Sequence, residues 1–266
     1  MKIKSIRRSI QIFVFLLMFI VPVLNIFEIY FIKGTFYSID VGSIAMADPL
    51  AVFQAIVASK SFTLTMLASI IIPIMLLLIF GRIWCSYMCP YYFITEMIEG
   101  LRKKLRLKSN KPKYAKEHLY KTNVLRLSFL LFGLFVMGIA GIPLLNLISA
   151  PGIISSQALV MVKFGYVTFE IVFILFLIVM EFFYYKFWCR YFCPTGSFLS
   201  VLGLKRMLNV KKINEDCSMC LSCIKVCPMA INPMEDGQSI ACNNCGDCID
   251  NCPDNHKRPT LKYFIK

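Results

Sequence analysis

The chain has 266 residues, 58% of them hydrophobic, with 23 Phe and a mean hydropathy of +0.68, a composition that points to a membrane protein rather than a soluble or disordered one. Its formal net charge of +14 does not mark a nucleic-acid surface, because of where the cations sit. Of 29 Lys and Arg, four precede the first apolar run (Lys2, Lys4, Arg7, Arg8), eleven lie between Arg82 and Arg126, eleven follow residue 185, and only Lys33, Lys60 and Lys163 fall elsewhere, which is the positive-inside pattern of a multi-pass membrane protein.

In chain order, the first apolar run covers residues 10–32, long enough to cross a hydrocarbon core. Ala45-Met46-Ala47 resembles a signal-peptide cleavage site, but it lies far beyond the end of the run, and the run is too long for a signal peptide's apolar region, so a retained anchor is expected. Asp48-Pro49 then opens a short helix, with Asp at the cap and Pro at the first helical position, expected to lie at the outer membrane interface. A second span is expected over residues 61–80, a basic loop over 91–126, and a third span over 127–147. Another outer segment starts near Ser149-Ala150-Pro151-Gly152, and a fourth span covers 164–185.

Spans two and four each end in Trp-Cys-x3-Cys-Pro: Trp84-Cys85 to Cys89-Pro90, and Trp188-Cys189 to Cys193-Pro194. The two motifs lie 104 residues apart and close equivalent halves, so the chain is an internal repeat with both halves in the same orientation. Tryptophan favours the headgroup level, which places both motifs at the cytoplasmic interface. Their four thiols are enough to ligate a cluster, and a redox-active dithiol or another metal are the alternatives.

The tail carries the other eight cysteines in two runs, Cys217, Cys220, Cys223, Cys227-Pro228 and Cys242, Cys245, Cys248, Cys252-Pro253. Each reads C-x2-C-x2-C-x3-C-P, the spacing of ferredoxins with two [4Fe–4S] clusters, in which the fourth cysteine of each run ligates the other cluster. That assigns Cys217, Cys220, Cys223 and Cys252 to a first cluster, and Cys242, Cys245, Cys248 and Cys227 to a second. Zinc is the competing reading for C-x2-C pairs, and a disulfide framework loses to the ligand spacing and to the reducing compartment implied by the charge pattern.

The two histidines, His118 in the basic loop and His256 in the tail, leave no span with an imidazole ligand for a membrane b-type haem. Three carboxylates fall within apolar runs, and such groups are candidates for function. Glu170, near the outer boundary of span four, is the candidate proton acceptor; Glu181 is read as reaching toward Lys186, and Glu28 lies in span one.

The paired Trp-Cys-x3-Cys-Pro motifs, the twin-cluster tail and the Asp48-Pro49 segment together resemble the NapH-type membrane ferredoxins, the quinol-dehydrogenase component of periplasmic nitrate reductase systems, with NosH- and MauN-type relatives. The resemblance covers essentially the whole chain. It implies an electron-transfer subunit, rather than a stand-alone enzyme, in the bacterial cytoplasmic (inner) membrane. Such a subunit passes electrons from the quinol pool toward a periplasmic iron–sulfur protein of the NapG type and a terminal reductase. The reading of another class is an accessory, maturation or redox-sensing iron–sulfur protein of the nitrous oxide reductase or cytochrome oxidase assembly type.

The expected architecture is thus an all-α four-span transmembrane bundle of two repeated halves, with both termini cytoplasmic, and a C-terminal cytoplasmic α+β ferredoxin-like domain with two [4Fe–4S] clusters. Its parts are residues 1–90 (first membrane half), 91–126 (basic loop), 127–207 (second membrane half) and 208–266 (twin-cluster domain).

Overall fold

The computed structural model describes residues 2–28, 32–35, 37–42, 44–213, 217–256 and 258–265. Residues 29–31, part of the expected first span, and Lys266 at the end of the tail lie outside the described residues, as does the side chain of His256.

Helix α1 (Ile3–Ile26) leads into a three-stranded antiparallel meander, β1 (Ile32–Thr35), β2 (Ser38–Val41) and β3 (Ile44–Ala47). This meander corrects the all-α expectation for the membrane half. The register runs Ile32↔Val41 to Thr35↔Ser38, then Ser38↔Ala47 to Val41↔Ile44. Gly34 has a φ of +112°, and a Cβ there would stand 1.9 Å from the Ser38 carbonyl oxygen, so only glycine fits this hairpin.

The rest of the first half is α2 (Pro49–Ser59), α3 (Leu64–Phe80), the one-turn α4 (Ile83–Tyr87) and α5 (Pro90–Lys104). The second half repeats it with α6 (Lys116–Ala140), α7 (Leu144–Leu147), α8 (Ala150–Phe164), α9 (Glu170–Phe183), the one-turn α10 (Phe187–Tyr191) and α11 (Pro194–Leu202). The basic segment 91–126 is therefore helical up to Lys104 and again from Lys116. The halves interlock: α1 packs on α8, and α6 packs on α2.

Among the described residues, two helices are long and apolar enough to cross a membrane, α1 and α6. Their outer faces leave Phe13, Leu16, Phe132, Phe135 and Ile139 exposed, and α3 and α9 do the same with Ile71, Met75, Leu175 and Val179. Water penalises such stripes and hydrocarbon does not. At 17 and 14 residues, α3 and α9 rise roughly 21–26 Å, short of a hydrocarbon core of about 30 Å unless α4 and α10 complete the crossing.

The tail closes the chain with β4 (Leu208–Lys212), α12 (Ser222–Val226), α13 (Asp247–Asp250) and β5 (Leu261–Ile265), and β4 pairs antiparallel with β5. It docks on one end of the bundle through buried donors. Arg82 Nη2 donates to the Ala241 carbonyl at 2.5 Å, Ser86 Oγ to that of Asn243 at 2.9 Å, and Asn244 Nδ2 to that of Phe80 at 2.9 Å. Asp250 of the tail accepts from the main-chain N–H groups of Ile3 and Lys4 at 3.0 and 2.7 Å. A carboxylate from the far end of the sequence thus caps α1, where orphan donors and the helix dipole both favour it.

Candidate functional site

The two tail runs share one backbone device. Met219 and Leu221 flank Cys220 with φ of 52° and 56°, and Asn244 and Gly246 flank Cys245 with 52° and 79°. Paired left-handed residues of this kind bend a loop so that its N–H groups converge, a concavity suited to an anionic group. Asn and Gly adopt this conformation readily, whereas Met and Leu do so at a cost, so the first loop holds a shape that ligation would repay.

Cys227, Cys242, Cys245 and Cys248 line one cavity, walled by Val210, Met229 and Ile231. No group of three or more His, Cys, Asp or Glu among the described residues closes around a single ion. Four thiols spread around a space suit a cube of iron and sulfide better than a tetrahedral zinc, whose thiolates lie about 2.3 Å from the metal. Cys223, Cys252 and Cys248 share a buried core with Val210 and Leu261. Cys217 and Cys252 both lie near Cys223, while Cys220 is exposed. The crossed partners expected from the spacing are therefore neighbours: Cys227 with the second run, Cys252 with the first. Burial pushes the Cys227 thiol up to about 12 in the protein without a metal, so ligation there must release a proton.

At the membrane end the two Cys-x3-Cys-Pro loops meet. Cys89 lies near Cys85 and Cys193, Cys189 near Cys193 and Cys89, and Cys193 near Cys85. The sequence explains the local geometry. Cys89 and Cys193 are the N-caps of α5 and α11, each followed by proline at the first helical position. Cys193 Sγ accepts from the Gly196 N–H at 3.3 Å, so the α11 N-terminus favours a thiolate at its cap.

Arg82 and Arg126 are almost fully buried and lie among the charged neighbours of Cys85 and Cys193, as Lys186 does for Cys189. Arg82 donates to the carbonyls of Gly196 and Ala241, and Arg126 to Ser200 Oγ and the Ile240 carbonyl. None of these acceptors is an anion, and buried cations need one nearby. Four thiolates on a cluster carry net negative charge, so the donor set fits the group.

The three thiol groups form a row. Cys89 and Cys189 pack against a buried cluster of Tyr92, Met229, Ile231, Ala241 and Cys242, with Cys227 on the same cluster. Cys248 of that second set then adjoins Cys223 and Cys252 of the first.

Several expected positions differ. The helices α2 and α8 do not lie on an outer surface: Pro49, Leu50, Val52 and Gln54, and Ala150 to Ile153, are buried, and Asp48 is a charged neighbour of Cys85. Both helices start beside the cysteines and run back toward the opposite end. Trp188 is 5% exposed and packs edge-on against Phe173 and Phe129, a core role rather than an interfacial one. Glu181 is buried and accepts from Tyr91 O–H and the Trp188 N–H at 3.0 and 3.2 Å, which fixes α10 on α5. Glu170 is exposed in the first turn of α9, where Gln157 Nε2 donates to it at 3.3 Å, and it lines neither the cysteine row nor the cavity beside it. Glu28 is exposed beyond the end of α1. The buried Arg7, Arg82, Arg126 and Arg206 were legible only as topology charges; a signal for the second was its place two residues before Trp-Cys.

Comparison with known proteins identifies the group. Residues 62–108 and 166–212 match a family described as "4Fe-4S binding domain", two copies at the 104-residue repeat that each contain one Cys-x3-Cys-Pro loop. An uncharacterised protein of Methanocaldococcus jannaschii is 30% identical over 187 residues, covering 70% of this chain and 75% of that one. The ferredoxin-type protein NapH of Escherichia coli is 27% identical over 239 residues, 85% of this chain and 79% of that one. The methylamine utilization ferredoxin-type protein MauN of Paracoccus denitrificans is 25% identical over 229 residues, 85% and 68% respectively. The chain belongs to the family of ferredoxin-type proteins that includes NapH and MauN. The two matched stretches carry a 4Fe-4S binding domain, and no solved structure matches the chain.

Proposed function

We propose that this protein is the membrane-bound, quinol-oxidising subunit of an electron-transfer system, with a row of three [4Fe–4S] clusters. Cys85, Cys89, Cys189 and Cys193 would hold the first in the path, Cys227, Cys242, Cys245 and Cys248 the next, and Cys217, Cys220, Cys223 and Cys252 the last. The observation that carries this reading is the row itself: one buried apolar cluster joins the membrane-end thiols to the second set, and Cys248 of that set shares a core with Cys223 and Cys252 of the last. The clusters supply one-electron chemistry. The chain contributes thiolates, buried cations that favour the reduced state, and a dry path between stations.

Four crossings, at α1, α3–α4, α6 and α9–α10, would put the cysteine row at the cytoplasmic end of a multi-pass inner-membrane bundle, a reading the charge partition supports. Cys220, the exposed ligand of the last set, marks where electrons leave. Met219 and Leu221 beside it are exposed apolar residues suited to a docking partner. A ferredoxin-type partner of the NapG kind there would carry electrons on to a reductase, nitrate reductase by the NapH likeness. MauN, named for methylamine utilization, resembles the same chain, so the electron path belongs to this subunit and the terminal reaction to its partners.

The test is reduction of the protein in native membranes. Quinol should reduce its iron–sulfur absorbance in the wild type but not in Cys89→Ser or Cys189→Ser, whereas dithionite should still reduce the tail of both variants. Quinol reduction that survives in both variants would reject the membrane-end station.

A further inference from the structure

A cavity of about 340 Å³ lies between the start of α2, the end of α3 and α4, within the size range of small-ligand sites, roughly 300–1,000 Å³. Its wall is apolar, with Leu76, Phe80, Trp84, Met88 and Leu199 contributing, and among the described residues Asp48 is the one carboxylate in it. Asp48 Oδ1 accepts from the Leu50 N–H, but its buried Oδ2 has no hydrogen-bond partner. Leu76 and Phe80 are also exposed on the outer face of α3, so the wall separating this cavity from the lipid side is one side chain thick. Trp84 immediately precedes Cys85, and Asp48 lies near that thiol. The second half has no such carboxylate: Ala150, packed in the core, precedes Pro151, and the Tyr37 ring lies against Gly152.

The geometry points to this cavity as the site where the quinol headgroup is oxidised, with Asp48 as its proton acceptor, an assignment that rests on the function proposed above. An acyl chain of a lipid would fill the apolar wall but leave the carboxylate oxygen unpaired at a buried site, which is costly. A quinol hydroxyl satisfies it. Oxidation to the quinone breaks two O–H bonds and releases two protons and two electrons. Asp48 Oδ2 takes a proton with each one-electron step and passes it to water before the next. A [4Fe–4S] cluster held by Cys85, Cys89, Cys189 and Cys193 would accept the two electrons one at a time and pass each on.

The probe is 2-heptyl-4-hydroxyquinoline N-oxide, a fluorescent quinol mimic whose emission is quenched on binding, titrated into the purified full-length protein. Iron content and melting temperature of each variant verify the fold. Leu76→Trp and Met88→Trp, which fill the cavity from two sides, should each weaken binding at least tenfold. Asp48→Asn should leave binding within about threefold, yet slow quinol-driven reduction at least tenfold while dithionite reduction is unchanged. Wild-type binding that both fillers leave intact, or that phospholipid alone competes away, overturns the site, as does an Asp48→Asn variant that oxidises quinol at the wild-type rate. If quinol fails to reduce the wild type at all, the proposed function falls as well, so the two failures are distinguishable.

Discussion

Arg7 Nη1 donates to the main-chain carbonyl of Cys245 at 2.6 Å, joining the second turn of the first helix to a cysteine loop 238 residues away. The guanidinium is 0% exposed, and its Nη2 reaches Glu96 at 2.5 Å and Asp247 at 3.1 Å. A positive charge held there would stabilise the added electron of the second cluster proposed above. At an effective dielectric of about 20, a unit charge some 7 Å away is worth roughly 2 kcal/mol, and its two carboxylate partners reduce that. Arg7→Met should therefore lower that cluster's reduction potential by tens of millivolts, on the order of 1 kcal/mol. A redox titration followed by electron paramagnetic resonance measures it, and an unchanged potential would count against the contact.

The crossed pairing makes the two tail runs separable by spectroscopy. Cys227→Ser should remove the second cluster although the residue belongs to the first run, and Cys252→Ser should remove the first. Each should lower the iron content of anaerobically purified protein by about four atoms. If Cys227→Ser instead abolished the signal of the first cluster, ligation would be uncrossed.

Glu99 offers a pH test outside the spans. Burial raises its carboxyl, but Lys103 and Lys111 more than offset that, holding it down at about 2. The two ion pairs are 2.8 and 3.0 Å long, and Tyr185 O–H also donates to Glu99 at 3.0 Å. A carboxyl depressed below its usual range contributes stability that is fully present above about pH 4.5 and lost as pH falls through about 2. Glu99→Gln should thus lower the melting temperature at pH 7 by roughly 2–4 °C, for about 1 kcal/mol, and the deficit should shrink below pH 4.5. A deficit that is constant with pH would assign the effect to packing.

The direction of α2 and α8 moves the points where sidedness is best read. Both helices end in left-handed residues, Lys60 and Gly165, at turns far from the cysteines. Reporter fusions after Ser61 and after Gly165 should report the periplasm, and fusions after Asn110 or at the C-terminus the cytoplasm. A periplasmic C-terminus would overturn the placement of all twelve cysteines.

Much of the site was legible because ligation and capping are local. The Asp48-Pro49 start of α2 appears as read, with Asp48 accepting from the Leu50 N–H, and the repeat interval is the one in the matched stretches. The meander was missed because its four-residue strands alternate over too short a window to stand out beside longer apolar runs. The inward start of α2 and α8 was missed because hydropathy reports how apolar a helix is and not which end is buried. Trp188 shows the limit of residue preference, since three aromatic neighbours hold it in the core.

The tail that covers Cys89 and Cys189 also imposes an order of manufacture. Met229, Ile231 and Ala241 close over these thiols on the side away from the bundle, and Arg82 and Arg126 reach across to hold the covering loop. A cluster proposed at the membrane-end thiols would therefore have to be inserted before the tail docks over them.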